Sequence, residues 1–356
     1  MADSDDLSDK MKELGVEEKA NETNWNHMPF EVKEMIVKEM DIETRARLKM
    51  CSKSDKYLVE STRMSYHRLH VWVCEDEDEE RRRNMIVSVS LRRNESKSED
   101  TDLSDSDDTD LFLQLIANGN IVSIRKSPNE PRQIQCSSEE EAKNMVKQMF
   151  FNIFLAANFR FEKVEAWIDY PGFIDNSEFT IHAKDIDIHS SSSQVIQWLN
   201  NVTPGVKTLT KVTSYPDTVE GLGNIPAVIN AKLCYIHCNN DINDEQLLNF
   251  SGTTLEISGE SNITAKGINQ LIKKAISNDY PKESMLFIPI NPELFRQCWN
   301  EIIDGLDIQV TDFQDDFDED RCMIYRGQIK MKDGKRMEVC LSGRQQEYKE
   351  FEAEVL

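Results

Sequence analysis

From about residue 184 onward, short apolar strand-like runs recur, starting near 184, 206, 233, 255 and 285 and so spaced by 22, 27, 22 and 30 residues. Helix-forming stretches lie between them: Ser192 to Leu199, Pro226 to Asn230, Asp244 to Phe250, and a run capped by Thr264 with Ile268, Leu271, Ile272 and Ile276 on one face. Another helix opens at Asn291-Pro292 and carries Leu294, Cys298, Ile302 and Ile303. One strand plus one helix every twenty to thirty residues cannot bury its own apolar face. Such a unit is satisfied only by stacking on its neighbours. The runs Ile186-Asp-Ile, Leu255-Glu-Ile and Leu286-Phe-Ile place alternate residues on one side, as a strand facing a core requires. The spacing is uneven, and the Asn or Cys step of a regular repeat is missing. An irregular β/α array is therefore expected.

The preceding region reads as hairpins. Leu69, Val71 and Val73 alternate with His70 and Trp72, and Met85 to Leu91 is a second β-rich run, with the charged turn Glu75 to Arg83 between them. Leu111 to Ile116 and Ile121 to Arg125 flank the turn-type tripeptide Asn118-Gly119-Asn120. Ser137 with Glu140 three residues on has the form of a capping box. It would open a helix facing inward through Ala142, Val146, Met149, Phe150, Ile153 and Phe154. Phe161 to Ile168 and Phe179 to His182 read as strands. Near the end, Asp333-Gly334 between two alternating runs is a strong hairpin signal. The acidic stretch Asp312 to Asp320 lacks the ligand order and central Gly of an EF-hand, so calcium is not expected there.

Charge narrows the partners. The chain of 356 residues has 65 acidic and 42 basic side chains, a net charge of −23. Nucleic-acid binding needs clustered Lys and Arg, and docking on an anionic membrane needs the same; neither is expected. No run approaches the roughly 20 apolar residues of a membrane span. The eight cysteines are scattered without a C-x-x-C pair, so reduced, mostly buried thiols and a cytoplasmic or nuclear location are expected. Residues 1–23 and 94–110 have the composition of disordered acidic segments. Ser104, Ser106 and Thr109 stand beside acidic residues and suit an acid-directed kinase, although the same composition also suits a plain solvated insertion.

The stretch Asn24 to Ser61 has its own pattern. Met28, Val32, Met35, Ile36 and Met40 fall at i, i+4, i+7, i+8 and i+12, the spacing of one helix face. Pro29 sits where a first helical turn tolerates a missing N–H. A second apolar set follows at Leu48, Cys51, Leu58 and Val59. Such a hairpin can serve a local core or leave part of its face for a partner.

This pattern resembles the F-box, the short helical module that docks on the Skp adaptor of cullin-type ubiquitin ligases. Met28-Pro29 stands where the family has Leu-Pro, and Glu31, Val32, Ile36 and Met40 follow at its acidic and apolar positions. Leu48 with Cys51-Ser52-Lys53 is similar to the family's Leu-x-x-Val-Cys-Lys, and Tyr57-Leu58 closes the stretch. Asp55 occupies the place where the family usually has Trp. Further along, Ile263 to Ile276 followed by Met285-Leu-Phe-Ile looks like the associated domain of the large nematode F-box families, whose repeats are leucine-rich-repeat-like.

The expected fold class is thus α+β. A helical F-box-like module at 24–65 would precede a β/α, leucine-rich-repeat-like domain at 66–356 with its acidic insertion. The resemblance implies a substrate-recognition subunit of a Skp–cullin–F-box ubiquitin ligase. It would contact the adaptor through Met28, Pro29, Val32, Ile36, Met40, Leu48 and Leu58, and hold a protein substrate on the C-terminal array. The alternative is a repeat-type interaction scaffold with no ligase. The six histidines form no metal-like pair, and the chain has no Gly-rich phosphate loop, no G-x-S-x-G and no H-E-x-x-H. Neither an enzyme nor a metal or other cofactor is expected.

Overall fold

The computed structural model describes residues 25–40, 42–77, 83–92, 111–126, 131–155, 159–174, 179–203, 205–214, 218–277, 283–290, 295–314, 323–331, 334–343 and 349–356. Residues 1–23, the acidic stretch 94–110 with Ser104, Ser106 and Thr109, and most of 312–320 lie outside them. The chain divides into two units, Met1–Met64 and Ser65–Leu356.

The first unit is helical. A 3-10 turn at Trp25–His27 leads into α1 (Phe30–Glu39), α2 (Ile42–Lys49) and α3 (Lys53–Ser61).

The second unit is organised by one sheet. Its strands are β1 (Met64–Glu77), β2 (Arg83–Arg92), β3 (Leu111–Asn118), β4 (Ile121–Lys126), β5 (Arg132–Gln135), β6 (Phe159–Asp169), β7 (Ala183–Ser190), β8 (Thr208–Thr213), β9 (Leu233–Ile236), β10 (Thr254–Ile257), β11 (Met285–Ile290), β12 (Ile308–Gln314), β13 (Met323–Lys330), β14 (Arg336–Gly343) and β15 (Lys349–Val355). Their spatial order is β12-β13-β14-β15-β11-β10-β9-β8-β7-β6-β1-β2-β3-β4-β5. Strands β6 to β11 pair in parallel, each beside the next in sequence. Antiparallel strands flank this block on both sides: β1 to β5, and β15 back to β12.

The inner face of the parallel block is lined by Val164, Ala166, Ile168, Ile186, Ile188, Leu209, Cys234, Ile236, Leu255, Ile257, Leu286 and Ile288, all buried. Helices α5 (Ser192–Asn200), α6 (Pro226–Ile229), α7 (Asp244–Asn249), α8 (Ala265–Ser277) and α9 (Phe295–Ile303) lie between successive strands. They contribute Trp198, Leu247, Leu271, Ile272 and Ile302 to the core. Helix α4 (Glu139–Phe154) packs on β2, β3 and β4 through Ala142, Val146 and Phe150.

The turns between strands stack on one another through polar side chains. Asn240 is buried; its amide donates to the Cys238 carbonyl at 3.0 Å and its Oδ1 accepts from the Ile242 N–H at 3.2 Å. Asn239 Oδ1 accepts from Glu260 N–H at 3.0 Å, and Asp241 Oδ1 accepts from Gly221 N–H at 2.9 Å. This amide step is one the sequence reading did not recognise. Gly259 belongs to the same stack: a Cβ there would overlap the Cys238 carbonyl and the Asn239 N–H.

Several expectations need adjustment. The cap of α4 is Ser138, whose side chain accepts from Glu141 N–H, while Ser137 donates to the Glu141 carboxylate. The box is thus displaced by one residue, because Ser137 and Ser138 are both competent caps. Phe179 to His182 forms only a bridge, Ile181 with Val202. Strands β5, β12 and β15 were not foreseen. Thr264 does cap α8: its Oγ1 accepts from Gly267 N–H at 3.3 Å and donates to Asp244 at 2.6 Å.

Among the described residues no helix is long and apolar enough to cross a membrane, and no group of three or more His, Cys, Asp or Glu is placed to hold a metal ion. Seven free thiols are described; Cys51 is exposed, while Cys234 and Cys238 are buried. Burial pushes the Cys234 thiol up to about 12 and the Cys238 thiol up to about 11. Alkylation proceeds through the thiolate. Iodoacetamide at pH 8 should therefore label Cys51 about a hundredfold or more faster than either of the pair. Comparable rates, read by peptide mass spectrometry, would mean that β9 and its following turn are not closed.

Candidate functional site

The first unit has a small core of its own. Val37 on α1 meets Leu58 and Val59 on α3, and Trp25, Met40 and Leu48 pack around them. Two of the three helices have a local reason to start. Pro29 precedes α1 with φ −55° and ψ 150°, and Ser52 caps α3, its hydroxyl accepting from Asp55 N–H at 3.0 Å.

Two polar side chains lock the helices together. Arg45 on α2 is 3% exposed, and its guanidinium donates to the Val59 carbonyl at 3.3 Å and the Thr62 carbonyl at 3.2 Å. These lie at the end of α3, where carbonyls lack helical partners and the helix dipole is negative. Asp55 is also buried. It accepts from the Trp25 indole N–H at 2.7 Å and from the Ser52 hydroxyl at 2.6 Å. Lys33 sits over the Trp25 ring, 5.5 Å from its centroid. A carboxylate thus joins the 3-10 turn to α3 through an indole supplied from the other end of the unit.

The Ser52 and Trp25 hydrogen bonds, helped by Lys33, hold the Asp55 carboxyl below its usual range against the opposing effect of burial. A depressed carboxylate pKa stabilises the fold above the unfolded value of about 3.9, and that contribution is lost as pH falls through the folded value. Acidification below about pH 4 should loosen the Trp25 contact, seen as a change in its fluorescence. Asp55→Asn should lack that transition. It should also weaken the unit at neutral pH by about 1.5–3 kcal/mol, the range for a charged hydrogen bond. An unchanged acid transition in Asp55→Asn would assign it to another group.

The expected contact residues fall into two groups. Leu58 is fully inside the core, with Met40 and Leu48 half-buried against it; these three hold the helices together. Pro29 is exposed, Met28 and Ile36 are half-buried, and Val32 is buried. At 100° per residue, Met35 lies about 160° around α1 from Val37. Helix α1 therefore carries apolar residues on the side away from its own core. Met35 is 39% exposed, Phe30 47%, Tyr57 68% and Met50 87%. Residues 25–64 match the family model for the F-box domain. No curated protein and no solved structure matches the chain.

Within this F-box, sequence reasoning missed Val37, Arg45 and the two exposed side chains Phe30 and Met50. Val37 was legible as an apolar residue one step from Ile36, but its register was assigned to Met28 and Met35. Asp55, a departure from the family pattern, serves as an internal fastener between Trp25 and Ser52.

Proposed function

We propose that the chain is the substrate-recognition subunit of a Skp–cullin–F-box ubiquitin ligase. The observation that carries this reading is an F-box whose first helix turns apolar side chains away from the core that holds the unit together. The adaptor contact would be made by Met28, Pro29, Val32 and Ile36, with Met35 beside them. Met40, Leu48 and Leu58 would set the helix geometry from within. The strands and helices from β6 to α9 suit a leucine-rich-repeat-like array that presents a substrate. Such a subunit supplies no catalytic residue; it raises the effective concentration of the substrate near the ubiquitin carrier.

The experiment is capture of a purified Skp-type adaptor by the intact chain, compared with Pro29→Ala combined with Ile36→Asp. Capture by the parent and its loss in a variant with an unchanged melt support the reading. No capture by a well-folded parent would favour the non-ligase scaffold.

A further inference from the structure

Helix α4 covers one face of β2, β3 and β4, and β1 continues that face with Leu69, Val71 and Val73 buried. The other face carries exposed side chains. The strand registers lay this open face out as rows. Trp72 stands opposite Ser88, Ser88 opposite Gln114, and Gln114 opposite Arg125. His70 stands opposite Ser90, and Ser90 opposite Phe112. Arg68 stands opposite Arg92. Trp72 is 55% exposed and Phe112 41%, and Arg125 is exposed. The alternate residues Val71, Val89, Leu113 and Leu115 point the other way and are buried.

The charges on this face run against those of the whole chain. With 65 acidic residues against 42 basic, the strand registers place Arg68, Arg92 and Arg125 on this face, against one acidic residue, Asp76, at the end of β1. Arg68 donates to Glu165 on β6, with Nε at 2.9 Å, but that carboxylate also takes Lys163 at 2.6 Å. Arg92 and Arg125 have no ion pair among the described residues. Arg92 faces Arg68 directly, a like-charge cross-strand pair that costs stability unless an anion lies between. His70 between them is held below its usual value by burial first, with Glu165 opposing and both arginines adding to the depression.

We propose that this face binds an extended, Asp/Glu-rich segment of a partner protein, its carboxylates meeting Arg92 and Arg125 and an apolar side chain lying on Trp72 and Phe112. Exposed Trp and Arg are the residue types that dominate interface energies, and guanidinium pairs carboxylate in a two-pronged fork. The hydroxyls and amide of Ser88, Ser90 and Gln114 provide a shallow hydrogen-bonding floor between the anchors. At physiological salt the screening length is about 8 Å, so the local arginines outweigh the more distant negative charge. The proposal rests on the reading above and extends its substrate surface from the β6-to-α9 array onto β1 to β4 of the same sheet.

The test is fluorescence anisotropy with the full chain and three labelled probes: a peptide alternating Glu with Leu and Pro, the same peptide with Gln for Glu, and oligouridine. The expected result is capture of the Glu peptide, with binding about tenfold or more weaker for the Gln peptide and for the Trp72→Ala and Arg92→Gln variants. Arg92→Gln should melt no lower than the parent, because it removes a like-charge pair. Equal binding of the Glu and Gln peptides, no binding of either, preference for oligouridine, or a dimer in light scattering that Trp72→Ala abolishes would each overturn the proposal. So would a lower melt for Arg92→Gln. Adaptor capture, measured on the same variants, should be unchanged, so that failure of one reading is told from failure of the other.

Discussion

Replacing Arg45 by alanine is expected to cost the N-terminal unit about 2–4 kcal/mol, the range for stranding buried hydrogen-bonding groups. Its guanidinium reaches the Val59 and Thr62 carbonyls from a position 3% exposed. Truncation leaves those carbonyls without this donor and opens a gap beside Val59. It also removes a cation from the negative end of α3. Arg45→Lys should rescue only in part, because an ammonium is more strongly hydrated than a guanidinium and costs more to bury. The unit is small and separate, so the loss is read locally. Hydrogen-exchange protection in α3 should fall by about two orders of magnitude, while the melt of the sheet unit stays in place. Unchanged protection in Arg45→Ala would mean that the clamp contributes nothing.

The second large effect belongs to the sheet unit. Gly259→Ala places a methyl group against the Cys238 carbonyl and the Asn239 N–H. Both are backbone atoms and cannot rotate aside. The turn after β10 must then lift from the turn after β9, which threatens the Glu260 N–H bond to Asn239 at 3.0 Å and the Ser258 N–H bond to Ile236 at 2.8 Å. A cost of about 3 kcal/mol is expected, and calorimetry should show the main transition about 5 °C lower. An unchanged transition would mean that these turns are not stacked as described.

What the sequence disclosed depended on how local the cause was. The β1–β2 hairpin, the β3–β4 turn at Gly119, and the Thr264 cap of α8 are each set by residues within a few positions, and each was legible. Strand β15, with Phe351, Ala353 and Val355 buried between exposed glutamates, pairs with β11 and β14. Its alternation is visible in the letters. Its place beside β11, more than sixty residues earlier, is not. The contacts of Arg45 and Asp55 were missed for a similar reason. Their partners Val59, Thr62 and Trp25 are 14, 17 and 30 positions away, beyond the reach of helical periodicity. The apolar set on α1 was found, but Val37 was not, because a helix with apolar residues on two sides gives no single stripe. The open face of β1 to β4 needed the registers before its arginines and aromatics came together.

The central claim is that the F-box keeps an apolar side of α1 available to a second protein. The most direct measurement is hydrogen exchange of the intact chain with and without an excess of a purified Skp-type adaptor. The account predicts slower exchange confined to residues 25–64 and centred on α1, with the strands of the sheet unit unaffected. Exchange across α1 that is the same with and without saturating adaptor would contradict it.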